Sequence, residues 1–501
     1  MNFAADVVER APAGALALLE LSRTGARREW SFGEVADASA RLAGTLRERG
    51  VGRGDVVMTL IGNRPEWVLS MLACFRIGAV VLPCTEQLRA KDLALRIAVA
   101  RPTLIVADER NRTELERASG AGEHDCEVLL VPDEALFAAQ PAPSVALAAH
   151  EPCLITFTSG TAGEPKAVVH AQRYLAGQRL QAEHWLAARA GELVWCTAAS
   201  GWSKSARNVF IAPWLSGAAA LLHDARFEPH ERLELLERER VGVLCMAPTE
   251  YRVIAKRASL RGLPHLRAMV AAGEALNPEV LRAWEEVTQL QIRDGYGQTE
   301  TGQLTATPPH ERARPGSMGR ALPGVELSIE DGELFAVPAS VPTFFLGYLG
   351  EQVGCEPLGR GRGTRWQVKD RSLGGRWATG DRVSRDEQGW LYFEGRGDDV
   401  IVSAGYRIGP FEVESALVAH PAVAEAAAVA APDEERGAVV RAVVVLAEPG
   451  RAPTAELVRE LQEHVKRETA PYKYPRIIDF AAELPKTASG KIKRAELRRG
   501  A

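Results

Sequence analysis

Hydrophobic and polar positions change their period several times along the chain. Over residues 31–50 the apolar positions recur at helical spacing, with Ser31 as a suitable N-cap, Glu34 three residues later and Gly50 at the end of the pattern. Short apolar runs follow, including DVVMTLI, AVVLP, TLIVA and VGVLCMAP, and they alternate with helix-like segments such as EWVLSMLACFRIG. This alternation predicts parallel strands with crossover helices, which is α/β architecture.

The sequence pattern changes at about Arg312. From there, Gly and Pro interrupt β-like segments such as VELSIEDGELFAV and GWLYFEGR. After Gly395 we predict a separate small domain with a strand VIVSAGYRIG, helices over 411–419 and 454–468, and a strand RAVVVLAE. The predicted fold class is α/β: a large N-terminal domain with several subdomains, mixed sheets and crossover helices (1–396), then a small α+β C-terminal domain (397–501).

Length and charge narrow the class of protein. The chain has 501 residues, more than one hydrophobic core usually serves, and its net charge of −4 argues against nucleic acid as a main partner. Seven cysteines without CxxC pairing indicate free thiols in a reducing compartment. The start, MNFAADVVERAPAG, lacks a signal-peptide pattern, and no apolar run reaches the roughly 18 residues of a membrane helix. We therefore expect a cytoplasmic protein without a membrane span.

The stretch TFTSGTAGEPKAV has the chemistry of a phosphate-binding loop. Glycines 160 and 163 allow backbone N–H groups to approach an anion, hydroxyls stand at 158, 159 and 161, and Lys166 adds an ammonium. The stretch is not a Walker motif, because GxxxxGK followed by Ser or Thr is absent. Taken alone, it is equally compatible with a simple turn.

Four later motifs add candidate ligands for a nucleotide. In DGYGQTETG, Tyr296 can stack on a base and Glu300 offers oxygen to a hard cation. In WATGD, Asp381 sits in a predicted Gly-turn where its carboxylate can accept ribose hydroxyls, and Arg396 in GRGDD can grip a sugar or phosphate. In PKTASGKIKR, Lys491 follows a Ser-Gly turn and can meet developing negative charge. Each charge is otherwise an ordinary solvated side chain.

In this order the motifs TFTSGTAGEPKAV, DGYGQTETG, WATGD, GRGDDVIVSAGYRIGPFEVE and PKTASGKIKR resemble the core motifs of the adenylate-forming superfamily. Within it, SAGYRIGPFEVESAL, HPAVAEAAAVAAPDEERGAVVRAVVVL and HVKRETAPYKYPR resemble medium-chain acyl-CoA synthetases and their acetyl-CoA synthetase-like relatives. The resemblance implies an acid–thiol ligase. A carboxylate would attack the α-phosphate of ATP, with Mg²⁺, to give an acyl-adenylate and pyrophosphate, and coenzyme A would then displace AMP.

The resemblance also assigns roles to individual residues. It implies catalytic roles for Lys491, Thr299 and Glu300, with Glu300 as the metal ligand, and a hinge at Asp398 about which the C-terminal domain rotates between half-reactions. ATP or AMP would be bound by Thr158, Ser159, Gly160, Thr161, Ala162, Gly163, Glu164, Pro165, Lys166, Gly273, Glu274, Ala275, Asp294, Gly295, Tyr296, Gly297, Gln298, Thr299, Asp381, Arg396 and Arg407. CoA would be bound by Ala404, Gly405, Tyr406, Arg436, Lys466, Tyr474 and Arg476.

The acyl pocket is assigned less directly. Acetate-specific relatives carry a tryptophan where this chain has Gly297, which implies room for a medium-chain, branched or aromatic acid. Trp202 and Tyr251 are expected near the pocket, with core packing as the alternative for each. Two departures from the family pattern stand out, namely Ala404 where many relatives have serine, and the whole segment 336–376.

Two other functions remain open on the sequence. One is an adenylation enzyme that loads the thiol of a carrier protein instead of CoA, and the other is a non-catalytic nucleotide-binding scaffold. The scaffold alternative predicts loss of Lys491, Glu300 or Asp381, and all three are present. The expected partners are a small carboxylate and CoA, and the expected assembly is a monomer or homodimer.

Overall fold

The computed structural model describes most of the chain. The described residues are 2–119, 126–158, 165–273, 278–350, 355–358, 364–368, 370–371, 374–397, 399–403, 406–433, 436–448, 450, 452–469, 471–487 and 491–499. Over this part of the chain, none of the helices has the length and apolar character needed to cross a membrane.

Strands and helices alternate through the first 300 residues, as predicted. The strands, numbered along the chain, are β1 (Leu16–Leu21), β2 (Arg27–Ser31), β3 (Val56–Leu60), β4 (Val80–Cys84), β5 (Leu104–Asp108), β6 (Glu127–Val131), β7 (Pro152–Phe157), β8 (Ala167–Ala171), β9 (Leu193–Cys196), β10 (Ala219–His223), β11 (Val243–Met246), β12 (Ala268–Ala272), β13 (Ile292–Gln298), β14 (Gly302–Ala306), β15 (Arg320–Ala321), β16 (Leu327–Glu330), β17 (Glu333–Ala336), β18 (Gly347–Tyr348), β19 (Cys355–Leu358), β20 (Arg365–Val368), β21 (Trp377–Arg385), β22 (Leu391–Arg396), β23 (Ile401–Ser403), β24 (Tyr406–Ile408), β25 (Val423–Asp433), β26 (Gly437–Leu446) and β27 (Ile477–Phe480).

The helices differ widely in length. The α-helices are α1 (Phe32–Glu48), α2 (Pro65–Ile77), α3 (Ala90–Ala100), α4 (Arg112–Ser119), α5 (Gln172–Gly177), α6 (Arg179–Gln181), α7 (Ser203–Ala206), α8 (Ala212–Leu215), α9 (Pro229–Arg238), α10 (Pro248–Arg257), α11 (Pro278–Thr288), α12 (Pro410–Ala419), α13 (Ala455–Glu468) and α14 (Arg494–Arg499). Three segments have π-type turns, Ala4–Val8, Ala182–Leu186 and Arg207–Ile211, and 3₁₀ turns occur at Glu109–Asn111, Glu134–Phe137, Pro338–Ser340 and Pro471–Lys473.

The predicted start of α1 is confirmed in detail. The Ser31 side chain accepts from the Glu34 backbone N–H, and the Glu34 carboxylate accepts in return from the Ser31 N–H at 2.8 Å. This reciprocal capping box satisfies donors that a helix start otherwise leaves unpaired. Helix α2 begins with Pro65 in its first turn and ends at Gly78, which adopts the left-handed conformation that favours glycine.

Two large sheets form the body of the N-terminal part. Among the described residues, one sheet has the order β18-β8-β7-β4-β3-β5-β6, and the other has the order β15-β14-β13-β12-β11-β9-β10-β1-β2. Both sheets have a parallel interior with antiparallel strands at an edge. A shared apolar core packs between them, in which Trp67 of α2 meets Phe210 edge to face, with 5.8 Å between ring centroids.

The parallel strands place their carboxyl ends toward one region. The phosphate-loop candidate follows β7, Gly273 follows β12, and Thr299 follows β13. A four-stranded antiparallel sheet, β16-β17-β21-β22, adds Asp381 and Arg396 to the same region. Ligands of open α/β sheets collect beyond the carboxyl ends of the strands, so this region is the candidate site.

The C-terminal part has its own apolar core, built from β25, β26, α12 and α13. The predicted single strand VIVSAGYRIG is instead two short strands, β23 and β24, which pair antiparallel with Ile401 opposite Ile408. Chain reversal lets the two strands satisfy each other's backbone hydrogen bonds, which one isolated strand cannot do. Strand β25 was not predicted at all, because its alanine-rich sequence has low intrinsic strand preference.

The segment 336–376, which departs from the family pattern, contains the hairpin β19–β20. This hairpin is hydrogen-bonded to the turn before β3. The Asp55 carboxylate accepts from the Thr364 backbone N–H (3.1 Å) and hydroxyl (2.5 Å), and the Trp366 indole donates to the Gly54 carbonyl at 2.7 Å. Gly54 has φ +82°, and a Cβ built on it would overlap the Thr364 carbonyl oxygen. The close approach of the two backbones therefore requires glycine at this position.

We predict that Gly54→Ala lowers the thermal unfolding midpoint more than Gly50→Ala does. Gly50 has the same φ of +82° but open space around its Cβ position, so both variants carry the left-handed penalty of about 1 kcal/mol. Only Gly54→Ala adds an overlap, which costs roughly 1–3 kcal/mol more. Scanning calorimetry of the two variants measures the difference, and equal midpoints would show that the hairpin yields without cost.

Candidate functional site

Gln298 joins the large nine-stranded sheet to the four-stranded one. It is the last residue of β13, and its side-chain amide donates to the Thr379 carbonyl (2.7 Å) and to the Asp381 carboxylate (2.9 Å). Its amide oxygen accepts from the Trp377 indole at 3.0 Å. One half-buried side chain thus fixes the position of β21 against the end of β13.

Asp381 is the buried centre of this arrangement, with 3% of its surface exposed. The Tyr296 phenol donates to one carboxylate oxygen, and Arg396, directly opposite on β22, lies 3.3 Å from the other. Burial raises the pKa of Asp381, while Arg396, the two hydrogen-bond donors and the more distant Lys491 ammonium act in the opposite direction. The structure places Asp381 within strand β21 after Gly380 (φ +71°), rather than in an isolated turn as predicted.

Glu300 lies on the other side of the site, in the turn between β13 and β14. Its carboxylate accepts from the Tyr348 phenol at 2.8 Å, and its carbonyl accepts from the Phe345 N–H at 2.8 Å. The Lys166 ammonium lies 4.8 Å from the centre of the Tyr348 ring, and the Arg371 guanidinium lies 5.7 Å from it. Tyr348 therefore contacts the Glu300 carboxylate through its phenol and two cations, Lys166 and Arg371, through its ring, next to the candidate phosphate loop.

Sequence reasoning missed Tyr348 and Arg371. Both lie in the segment 336–376 that departs from the family pattern. Tyr348 of β18 pairs with Val168 of β8, directly after the phosphate-loop candidate, and this pairing brings it to the site. The signal available in the sequence was the pair Gly347-Tyr348 at the end of an apolar run. The strand that it pairs with, β8, is distant in sequence.

The motif DGYGQTETG lies mostly in a strand. Strand β13 continues to Gln298 and then turns back into β14. A Cβ on Gly297 would overlap the Gly302 carbonyl oxygen, so the tight hairpin itself requires this glycine. Asp294 is half-buried, and its partial withdrawal from solvent raises its pKa well above the usual range; one of its oxygens accepts from the Gly295 N–H at 2.8 Å.

The two aromatic residues expected at the acyl pocket differ in their surroundings. Trp202 is half-buried at the start of α7. Tyr251 has no exposed surface; its phenol hydrogen-bonds to the carbonyls of Leu244 and Val270, and its ring packs edge to face on Trp284. The structure therefore favours the core-packing alternative for Tyr251.

Lys204 is a cation of this region that sequence reasoning did not select. Its ammonium donates to the Ala272 carbonyl at 3.4 Å and lies 3.3 Å from the position of a Cβ on Gly273. Gly273 has φ +107° and is one of the positions predicted to bind ATP or AMP. Lys204, a residue of α7, therefore lies against Gly273, and the signal in the sequence was a lysine two residues after Trp202 in SGWSKSARN.

In the C-terminal part, the structure brings three of the predicted CoA residues together. The Lys466 ammonium lies 4.3 Å from the centre of the Tyr474 ring, and the Arg476 guanidinium lies 5.0 Å from it. Arg436 stands in the turn after β25, where its N–H donates to Asp433 at 2.9 Å. The Lys491 carbonyl accepts from the Thr487 N–H at 2.8 Å, and the Lys491 N–H donates to the Thr487 hydroxyl at 3.2 Å, which positions the start of the basic tail.

Some of the predicted positions lie outside the described part of the chain. Residues outside the described part of the chain are Ser159, Gly160, Thr161, Ala162, Gly163, Glu164, Glu274, Ala275, Asp398, Ala404 and Gly405. Tyr406 and Arg407 are described as backbone of β24. Thr158 is placed at the start of the loop, where its N–H donates to the Lys166 carbonyl at 2.9 Å and its hydroxyl accepts from the Lys166 N–H at 2.9 Å; Pro165 directly precedes Lys166.

Comparison with known proteins decides the family. The sequence matches the family described as "AMP-binding enzyme" over residues 5–349, and the one described as "AMP-binding enzyme C-terminal domain" over residues 412–491. The chain belongs to the AMP-binding enzyme family. The uncharacterized acyl-CoA ligase YtcI of Bacillus subtilis (strain 168) is 38% identical to this AMP-binding enzyme, over 96% of this chain and 92% of that protein.

Two further matches extend the comparison. The mitochondrial acyl-coenzyme A synthetase ACSM4 of Rattus norvegicus is 38% identical over 99% of this chain and 90% of that protein. The crystal structure of the anthranilate CoA ligase AuaEII in complex with anthranoyl-AMP has a TM-score of 0.87 at 27% identity, and the match covers 99% of this chain and 97% of that one. The predicted family and fold class are confirmed, and this AMP-binding enzyme is an acyl-CoA synthetase.

We predict that Tyr296→Phe shifts the acid limb of kcat/KM for ATP to higher pH. The phenol donates to ionised Asp381, so its loss raises the pKa of that carboxyl further above its usual value. The ionised form is the one that accepts hydrogen bonds; it exists above this pKa and is lost as pH falls through it. The control is Tyr392→Phe, whose phenol donates to the distant Asp386. Superimposable profiles for all three proteins would contradict the prediction.

Proposed function

We propose that this AMP-binding enzyme activates a carboxylic acid with ATP to an acyl-adenylate and then transfers the acyl group to CoA. The observation that carries the proposal is the convergence on Asp381, where Tyr296, Gln298 and Arg396 surround one buried carboxylate and Lys491 is close enough to affect its pKa. A non-catalytic scaffold has no need for such an arrangement beside an additional ammonium.

The proposed nucleotide site uses both sides of this region. Asp381 and Arg396 hold the ribose, the residues 158–166 hold the leaving phosphates, and Thr299 meets the reacting carboxylate. Arg407 serves the nucleotide phosphates, and residues 273–275 with 294–298 form the adenine side. The enzyme supplies no covalent nucleophile; its contribution is to orient the acid against ATP and to stabilise charge on the transferred oxygens.

Glu300 is the proposed Mg²⁺ ligand. Within the described part of the chain, no group of three or more His, Cys, Asp or Glu side chains is arranged to hold a metal ion. A single carboxylate still fits Mg²⁺, which usually takes one or two protein oxygens and completes its shell with substrate phosphates and water. Bound there, the ion would neutralise charge on the phosphates, while Tyr348 keeps the Glu300 carboxylate oriented toward them.

We propose a domain boundary after residue 396, with the hinge at Asp398. In the present orientation the Lys256 ammonium of the N-terminal part donates to the Val423 carbonyl of the C-terminal part at 2.9 Å, and Lys491 faces the Asp381 region. This is the arrangement that adenylation requires. For thioester formation, rotation would remove Lys491 and bring the hairpin β23–β24 to the site.

CoA is proposed to bind on the C-terminal part. The cluster of Lys466, Tyr474 and Arg476 offers two cations beside an aromatic ring, which suits the phosphates and adenine of CoA. Ala404, Gly405 and Tyr406 would line the path of the pantetheine, and Arg436 would add a further charge. The proposed acid is medium-chain, branched or aromatic, in line with the aromatic acyl-AMP bound by AuaEII.

The test is a panel of straight, branched and aromatic carboxylates with ATP, Mg²⁺ and CoA, following AMP, pyrophosphate and acyl-CoA. We expect at least one acid to give all three products. A parallel assay offers the enzyme two thiols, free CoA and a phosphopantetheinylated carrier protein. We expect CoA to be the preferred acyl acceptor. Binding of ATP without turnover of any acid would contradict the proposal.

We predict that Lys491→Ala slows adenylation by about 10²-fold or more while sparing CoA transfer from supplied acyl-adenylate. The ammonium stabilises charge only in the first half-reaction, and the loss of one such group typically costs two to three orders of magnitude. Lys493→Ala is the matched control, because that ammonium pairs with exposed Glu496 at 2.9 Å. If Lys491→Ala lost the same fraction of its rate in both half-reactions, the proposal that Lys491 acts only in adenylation would be refuted.

A further inference from the structure

A second cation shares the Tyr348 ring with Lys166, at the end of the candidate phosphate loop. It is Arg371, whose guanidinium lies 5.7 Å from the centre of the Tyr348 ring and 5.9 Å from the centre of the Phe345 ring. The Lys166 ammonium lies 4.8 Å from the centre of the same Tyr348 ring. None of the roles proposed above uses Arg371, whereas Lys166 is among the residues proposed to bind the nucleotide.

Arg371 is held in this position through its backbone and through its neighbour in sequence. Its N–H donates to the carbonyl of Leu346, one residue before β18, at 3.2 Å. The preceding residue, Asp370, accepts from the Arg173 guanidinium of α5 at 2.9 and 3.0 Å. These contacts fasten this point of the segment 336–376 to β18 and α5, and all of them lie within the N-terminal part.

The strand that carries Tyr348 runs next to the loop. Tyr348 of β18 pairs with Val168 of β8, two residues after Lys166. At the other end of the loop, the Thr158 N–H donates to the Lys166 carbonyl and the Thr158 hydroxyl accepts from the Lys166 N–H, both at 2.9 Å. The residues 158–166 therefore begin and end beside Tyr348. Because Arg371 lies over the same ring, it is beside the loop that is proposed to hold the leaving phosphates.

The charges around Tyr348 favour an anion. Two cations that share one ring repel each other unless negative charge lies near them. The carboxylate oxygens of Asp370 both accept from Arg173, and the Glu300 carboxylate, which accepts from the Tyr348 phenol, is the proposed Mg²⁺ ligand. A polyphosphate held by the loop brings several negative charges to this place, and a guanidinium binds phosphate oxygens through two parallel N–H donors.

Arg376, in the same segment, shows an arginine with a structural task. Its guanidinium pairs with Glu330 of β16 and lies 5.4 Å from the centre of the Phe335 ring of β17. The charge of Arg376 is thus matched by a carboxylate of the four-stranded sheet. Both arginines lie over an aromatic ring, but the ring under Arg371 also has Lys166 and the candidate phosphate loop beside it.

We propose that Arg371 binds the β- and γ-phosphates of ATP together with Lys166 and stabilises the pyrophosphate that leaves. This inference rests on the proposed function and adds to it a residue from a segment that departs from the family pattern. In adenylation a carboxylate oxygen forms a bond to the α-phosphorus, while the bond from that phosphorus to the oxygen shared with the β-phosphate breaks. That oxygen keeps the electron pair and leaves on pyrophosphate, where Arg371 meets the added charge. AMP has no β- or γ-phosphate, so Arg371 contributes to the binding of ATP and not of AMP.

The first test measures binding. Arg371→Met removes the charge and keeps an unbranched side chain beside the rings, and the dissociation constants of ATP and of AMP are measured by isothermal titration calorimetry at one Mg²⁺ concentration. We expect the variant to bind ATP about 10-fold or more weakly than the wild type does, because a hydrogen bond between charged groups is lost. Its affinity for AMP is expected to be unchanged. Equal weakening of both nucleotides means that Arg371 only shapes the site, and this result overturns the inference, as does an unchanged affinity for ATP.

The second test separates the half-reactions, using an acid that the carboxylate panel shows to be a substrate. Exchange between pyrophosphate and ATP reports adenylation, and formation of acyl-CoA from supplied acyl-adenylate reports transfer. For Arg371→Met we expect the KM for pyrophosphate to rise and kcat/KM for ATP to fall by about 10-fold or more, while transfer keeps its wild-type rate. A variant that matches the wild type in both half-reactions, or loses the same fraction of both, overturns this inference alone. A wild-type enzyme that adenylates no acid overturns the proposed function.

Two further variants complete the experiment. Arg371→Lys keeps the charge but loses the bidentate fork, so we expect a weakening of ATP binding in the same direction and smaller than that of Arg371→Met; it replaces Arg371→Met if that variant does not fold. Arg376→Met is the matched control, because it also removes an arginine of this segment that lies over an aromatic ring. We expect it to leave the ratio of the ATP and AMP dissociation constants at the wild-type value. A ratio changed to the same extent in Arg376→Met would show that any loss of charge from the segment weakens ATP binding, and it would overturn the assignment to Arg371.

Discussion

The carboxylate of Asp381 is the constraint on which the site depends. It is withdrawn from water, and a buried ionised group persists only where donors and opposite charge surround it. Tyr296 and Gln298 reach it from β13, and Arg396 reaches it from β22, so the group ties two separate sheets together. The candidate site is thereby fixed before any ligand arrives, which lowers the ordering that binding requires.

On the opposite side of the site, the aromatic residue Tyr348 has the organising role that the buried carboxylate of Asp381 has on the first side. Tyr348 holds Glu300 through its phenol, while its ring faces Lys166 and Arg371. The electron-rich face of the ring attracts both cations. Asp381 and Tyr348 thus hold opposite sides of the site, one through a buried carboxylate and one through a ring face, and both come from segments distant in sequence from β13.

Much of the fold follows from local sequence, whereas the long-range features do not. Helix α1 was predicted with its start and stop signals, Ser31, Glu34 and Gly50, whereas helix α2 was predicted from its apolar pattern. Strand β25 was missed because alanine does not favour strands locally, and only pairing with β26 along its length stabilises it there. Tyr348 was missed for a related reason, since its position at the site depends on the pairing of β18 with the distant strand β8 and leaves no periodic signal.

The structure also bears on where a rotation between the two parts would occur. On one side of residue 398, the Gly397 N–H donates to the Gly380 carbonyl at 2.7 Å, which fastens it to β21. On the other side, Asp399 pairs with Arg494 and Arg498 of α14, which fasten it to the C-terminal part. With both neighbours held, a change of orientation must be absorbed within very few backbone bonds between them, together with loss of the Asp399 and Val400 hydrogen bonds to the Arg396 carbonyl. A pivot this short would keep each half rigid during the proposed rotation, so that Arg396 would stay with the proposed nucleotide site while Lys491 leaves it.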